Sequence, residues 1–138
     1  MSRIRGMAVA ALMCSGVLAL SGCTSPDFPF QDLKRDRRPG DELPTVPAPE
    51  EMDLDMSTSR FIGEYESASL WLVQGNDAMS ICLIIDSGAA SWHAACGGSL
   101  GLSTSGPGGA FAVVPDGSSP PDGAIAVSEN VYAVPVSG

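Results

Sequence analysis

Beyond Arg60 the chain has no lysine or arginine. Residues 61–138 carry seven acids, one histidine (His93) and no other cationic side chain. Nucleic-acid binding is thereby excluded as an expectation, because a polyphosphate partner needs a cationic stripe that releases counterions. A glycine-rich phosphate cradle is excluded too, since no lysine follows the glycines of residues 97–109. Aromatic residues are scarce, with four Phe, two Tyr and two Trp in 138 residues. That length allows one small domain and rules out folds needing about 200 residues or more. No Cys-x-x-Cys occurs, which counts against thioredoxin-like redox chemistry. A permanent membrane span is also missing. The one long uncharged apolar run, residues 7–20, has 14 residues, against about 20 for a spanning helix.

What is present begins at that run. Arg3 and Arg5 precede it, giving the cationic start and short apolar core of a secretory signal. The run ends in Leu20-Ser21-Gly22-Cys23. This resembles the lipobox of bacterial lipoproteins: a leucine, two small residues and a cysteine. The resemblance covers the first 23 residues and implies removal of a signal peptide, residues 1–22. It further implies that the Cys23 thiol carries a diacylglyceryl group with palmitate-type chains. Two or three such chains hold a protein stably on a bilayer, whereas one holds only marginally. The implied location is the extracytoplasmic face of the bacterial cell membrane. The Gly/Ala/Pro-rich, Lys-poor composition resembles that of small lipoproteins from high-GC Gram-positive bacteria.

Residues 24–55 hold six prolines and nine acids against four bases. Such a stretch has too little apolar surface to offset its chain entropy. Residues 23–56 are therefore expected to be the lipidated cysteine followed by a disordered, acidic, Pro-rich tether. Lys34-Arg35-Asp36-Arg37-Arg38 is its one basic cluster. Contact with anionic headgroups is one reading of it. A solvated linker, with Asp32, Asp36, Asp41 and Glu42 diluting the charge, is the favoured one. Asp53 and Asp55 do not start a calcium loop, because Thr58 stands where the tight turn needs glycine. Pro49-Glu50-Glu51 suits the first turn of a short helix.

From residue 57 the pattern becomes that of a mainly β domain spanning 57–138. Short β-forming runs alternate with Gly, Pro, Asp, Asn and Ser clusters. Strands are expected over 60–65, 69–74, 79–86, 91–97, 110–114, 124–128 and 131–136, with a long Gly-rich loop over 97–109. Pro115-Asp116-Gly117 and Pro121-Asp122-Gly123 read as turns, with Pro presetting φ and Gly accepting positive φ. The expected fold is a small antiparallel sheet, a sandwich or part-open barrel. Placing Leu72 opposite Ile81 and Leu70 opposite Leu83 puts Leu70, Leu72, Ile81, Leu83 and Ile85 on one face. Trp71, Val73, Cys82 and Ile84 then share the other. Both faces of the 79–86 strand are apolar, so it belongs in a covered, central position.

Of four cysteines, Cys14 leaves with the signal and Cys23 is taken by lipid under the lipoprotein reading. Cys82 and Cys96 remain, and outside the cytoplasm an even pair reads as a disulfide. Pairing strands 79–86 and 91–97 with Cys82 opposite Cys96, and Ile84 opposite Ala94, allows the bond. Closing that loop stabilises by about 3 kcal/mol. His93 with Cys82 and Cys96 lacks paired zinc-ligand spacing, so no metal is expected. Gly97-Gly98-Ser99-Leu100-Gly101 matches the G-x-S-x-G elbow, but no histidine follows it and no helix pattern supports it. Asp86, His93 and Ser99 fall within 14 residues, whereas a triad draws on separate elements. Glu64 and Glu66, two apart on one strand, could act as an acid/base pair; solvated surface is the blander reading.

The sequence thus carries no catalytic set, no cofactor site and no metal site. It points to a membrane-anchored, non-catalytic binding or envelope module, whose acidic charge suits a basic protein partner. The alternatives are a small secreted inhibitor or ligand-binding module presenting residues 97–109, and a small hydrolase using Ser99.

Overall fold

A computed structural model describes residues 28–44, 52–88 and 91–136. The signal segment, Cys23 and the 49–51 helix start lie outside the described residues. Among the described residues one helical turn, α1 (Gln31–Lys34), precedes eight strands: β1 (Leu54–Tyr65), β2 (Ala68–Gly75), β3 (Ile81–Asp86), β4 (Trp92–Gly97), β5 (Leu102–Gly106), β6 (Gly109–Val113), β7 (Ile125–Ala126) and β8 (Val131–Ala133). They form two antiparallel four-stranded sheets, ordered β1-β2-β3-β4 and β5-β6-β8-β7, not closed into a barrel.

The inner faces of the sheets meet in one core. Leu70, Leu72, Ile81, Leu83 and Ile85 from the first sheet pack with Phe111, Val113, Val131 and Ala133 from the second. This is the first face set expected from alternation. The other face of the first sheet carries a second cluster, Trp71, Val73 and Ile84, joined by Leu43, Leu54, Phe61 and Ala94. β2 and β3 are thus covered on both sides, as two-faced apolar strands require. Each fully buried Leu or Ile contributes about 1.5–3 kcal/mol relative to exposure.

The register differs from expectation by two residues. Leu72 lies opposite Leu83 and Leu70 opposite Ile85, while Ile81 faces Gln74. A two-residue slip keeps every side chain on its face, so the core set survives the change. The slip arises at the connection: Met79 takes φ 66, and Gly75 N–H donates to the Ser80 carbonyl across a longer loop. β3 consequently begins at Ile81 rather than at residue 79.

Two expectations are corrected more deeply. Residues 102–106 are a strand, β5, hairpinned to β6 across Pro107-Gly108 with Gly106 opposite Gly109; they are not part of a free loop. And residues 28–44 are not a free tether. Phe30 is fully buried in the main core, with Phe28 and Leu33 packed beside it. β1 starts at Leu54, six residues earlier than expected, with irregular pairing between Asp55 and Arg60 and again between Phe61 and Gly63. Gly63 (φ 152) lets β1 approach the second sheet, since a Cβ there would sit 3.2 Å from Val127 Cγ1. The last two strands are shorter than expected. The two Pro-Asp-Gly turns form as read, with Ser118 N–H donating to the Pro115 carbonyl, Ala124 N–H to the Pro121 carbonyl, and Gly117 and Gly123 at positive φ.

Candidate functional site: a basic strap on the edge of the first sheet

The segment 28–44 is a strap that binds both sheets through side chains. At its start, Asp32 and Asn130 bond reciprocally. Asp32 N–H donates to Asn130 Oδ1 at 2.9 Å, and Asn130 N–H donates to Asp32 Oδ2 at 3.0 Å. Both residues are buried. Ser128 Oγ–H donates to the same carboxylate oxygen, and the Asn130 amide reaches the Val114 carbonyl and Asp116 Oδ1, each at 2.9 Å. Burial pushes Asp116 up, but the Asn130 amide, the Gln31 N–H and Lys34 outweigh it and hold its carboxyl below the usual value. This network holds the bend at residues 127–130 that separates β7 from β8.

Further along, the strap covers the open edge of β1. Arg35 clamps Asp41 with two parallel bonds of 2.8 and 2.7 Å, the geometry that makes Arg–carboxylate pairs strong. The same two side chains satisfy the outward backbone of Phe61: Arg35 donates to its carbonyl at 2.9 Å, and Asp41 Oδ1 accepts from its N–H at 2.8 Å. Unpaired edge groups invite association with another chain, and the strap removes that invitation here. The Arg35 bond, against burial and helped by the Arg38 and Phe61 N–H groups, holds Asp41 well below the ordinary carboxylate range. Arg35 is correspondingly raised, chiefly by its bond to Asp41. Arg60 donates to the Arg35, Thr58 and Ser59 carbonyls. Burial lowers its pKa, with Arg35 and Arg37 adding repulsion.

Arg37 and Arg38 complete this face and are exposed. Arg37 donates to Ser59 Oγ at 3.1 Å. Neither has a carboxylate within salt-bridge reach among the described residues. The solvated-linker reading of residues 34–38 is therefore corrected: the cluster is a folded surface with two outward arginines. The sequence missed this because prolines and balanced charge conceal the two anchors, Phe30 and Asp41.

The other candidates are dispersed. Cys82 and Cys96 stand opposite one another on β3 and β4, with Ile84 opposite Ala94 as expected, and their sulfurs are 2.05 Å apart. His93 lies opposite Ile85 and Asp86 opposite Trp92. Asp86 and His93 therefore project to opposite faces of the sheet. Asp86 Oδ1 accepts from Gly88 N–H instead. Among the described residues His93 Nε2 has no hydrogen-bond partner, though it is buried, and its ring packs on Gly106. Ser99 sits exposed in the corner closed by the Gly98–Gly101 bridge. Glu64 is on β1, but Glu66 lies in the turn after it at φ 54, so the two do not share a strand face. No group of three or more His, Cys, Asp or Glu able to hold a metal occurs among the described residues. A shallow depression of about 440 Å³ runs between Leu102 and Pro120-Pro121 on the second sheet.

Comparison with protein-family models, with curated proteins and with solved structures returned no match.

Proposed function

We propose that the protein is an extracytoplasmic lipoprotein, fastened to the bacterial membrane through acyl chains on Cys23, whose β-sandwich is a non-catalytic binding or envelope module. The observation that carries this reading is Leu20-Ser21-Gly22-Cys23 standing directly after a 14-residue apolar run with arginines before it. The Cys82–Cys96 pair at bonding distance supports it, since disulfides persist in oxidising compartments. The acidic surface of residues 61–138 suits a basic protein partner. A secreted inhibitor or ligand-binding module is the second reading, favoured by Leu100, which is 91% exposed at the apex of the 98–101 corner.

The test is metabolic labelling of the full chain in a bacterial host with an alkyne fatty acid. The expected result is label on the wild-type protein, an N-terminus at Cys23 and membrane fractionation. Cys23→Ser should lose all three. Wild-type protein that is unlabelled and released into the medium would overturn the reading.

A further inference from the structure

We propose that the strap is the membrane-facing surface of the domain and that Arg37 and Arg38 contact the phosphates of anionic phospholipids. The proposal rests on the lipoprotein reading above and adds an orientation to it. Phe28 is only five residues past Cys23, and five residues reach at most about 18 Å when fully extended. Phe28 already packs beside the fully buried Phe30, so the fold is in place within that distance of the anchor. A domain of this size has a radius of gyration near 13 Å, so the leash is shorter than the domain is wide. The faces nearest the bilayer on which Cys23 is anchored are therefore those around Phe28, namely the strap and the 115–118 turn bonded to its start.

Charge selects among those faces. All five basic residues after Cys23 are Lys34, Arg35, Arg37, Arg38 and Arg60. Lys34 bonds Asp116 and Arg35 bonds Asp41, while Arg60 is taken up by carbonyls. Arg37 and Arg38 remain outward, and guanidinium groups suit phosphate oxygens. Asp36 and Glu42 are the exposed acids of the strap; Asp32 and Asp41 are buried and bonded. Everything from residue 61 onward is acidic or neutral apart from His93 and is pushed from an anionic surface. Screening confines these forces to about 8 Å at physiological salt, a distance the short leash makes accessible. With the β1 edge down, the β4 and β5 edges face away from the bilayer.

The experiment uses the acylated full-length product in bicelles of phosphatidylcholine, with or without phosphatidylglycerol, containing a headgroup-spin-labelled lipid. Paramagnetic broadening of backbone amides reports which face meets the lipid. With phosphatidylglycerol, amides of residues 34–42 and 56–60 should broaden, and those of β4 and β5 should not. Arg37→Glu with Arg38→Glu should return the pattern to that in pure phosphatidylcholine, and Arg37→Gln with Arg38→Gln should weaken it partway, with unchanged amide shifts in β2 and β3. Broadening spread evenly around the domain, broadening centred on β4 and β5, or a pattern indifferent to the arginine changes would overturn the orientation while leaving the anchor intact. A Cys23 peptide without acyl mass would instead overturn the anchor, and the orientation with it.

Discussion

The two sheets are built from different materials. β2 and β3 are rich in Leu, Ile, Val and Trp and bury both faces. β5 and β6 are Ser, Thr, Gly and Ala with one Leu, one Phe and one Val, and β7 and β8 are two and three residues long. The first sheet holds itself through apolar contact and a covalent cross-strand link. The second buries one face on the first and is tied at its far end by Asn130, Ser128 and the strap. Small residues make a sheet cheap to flatten against a neighbour but weak alone, so the second sheet depends on partners that lie far away in sequence.

Three substitutions probe that contrast. Leu83→Ala removes a fully buried side chain at the centre of the shared core and should cost about 2–5 kcal/mol. Chemical denaturation should show both sheets lost in one transition; a second, separate transition would mean that the sheets are independent. Asn130→Ala should cost about 1–3 kcal/mol, because it strips buried partners from Asp32 and the Val114 carbonyl. Hydrogen exchange should then accelerate in β8 and α1 and stay slow in β2 and β3. Equal acceleration everywhere would erase the distinction.

The smallest effect is expected from Asp41→Asn, which keeps the shape and loses the charge that clamps Arg35. Asp41 is held below its ordinary value of 3.8, so its contribution is complete above that pH. The contribution is lost as pH falls from there through the folded-state value. The variant should therefore be less stable at neutral pH, and its stability should fall less steeply on acidification. Parallel wild-type and variant profiles of stability against pH would show that the clamp contributes nothing.

How far these features were legible varies by element. The β2–β3 faces were, because side chains alternate along each strand and a two-residue slip leaves every one on its own face. The Cys82–Cys96 apposition was legible on other grounds: these two cysteines remain under the lipoprotein reading, and antiparallel pairing of their strands can set them opposite one another. β5 was not, since an edge strand half exposed to water needs no apolar pattern; the Pro107-Gly108 turn was its available signal. The strap was the least legible. Phe28 and Phe30 sit among prolines and charges that resemble a solvated linker, and nothing local reveals that Asp41 lies against Phe61. His93 was placed on the right strand, and the pairing of Ile85 with His93 and of Asp86 with Trp92 puts Asp86 on the other face.

Composition and period decided that this chain would be a β protein, which side chains turn inward, and which two cysteines could meet. These are local facts, fixed by the alternation of side chains along a strand. The folded chain decided the two-residue register, the identity of the edge strands and the capture of residues 28–44. The register is set at the connection between Gly75 and Ser80, and the capture of the strap by bonds between groups as far apart as Asp32 and Asn130, 98 residues along the chain. The entropic cost of closing a loop rises only slowly with its length, so contacts this distant in sequence can form, but no local pattern announces them.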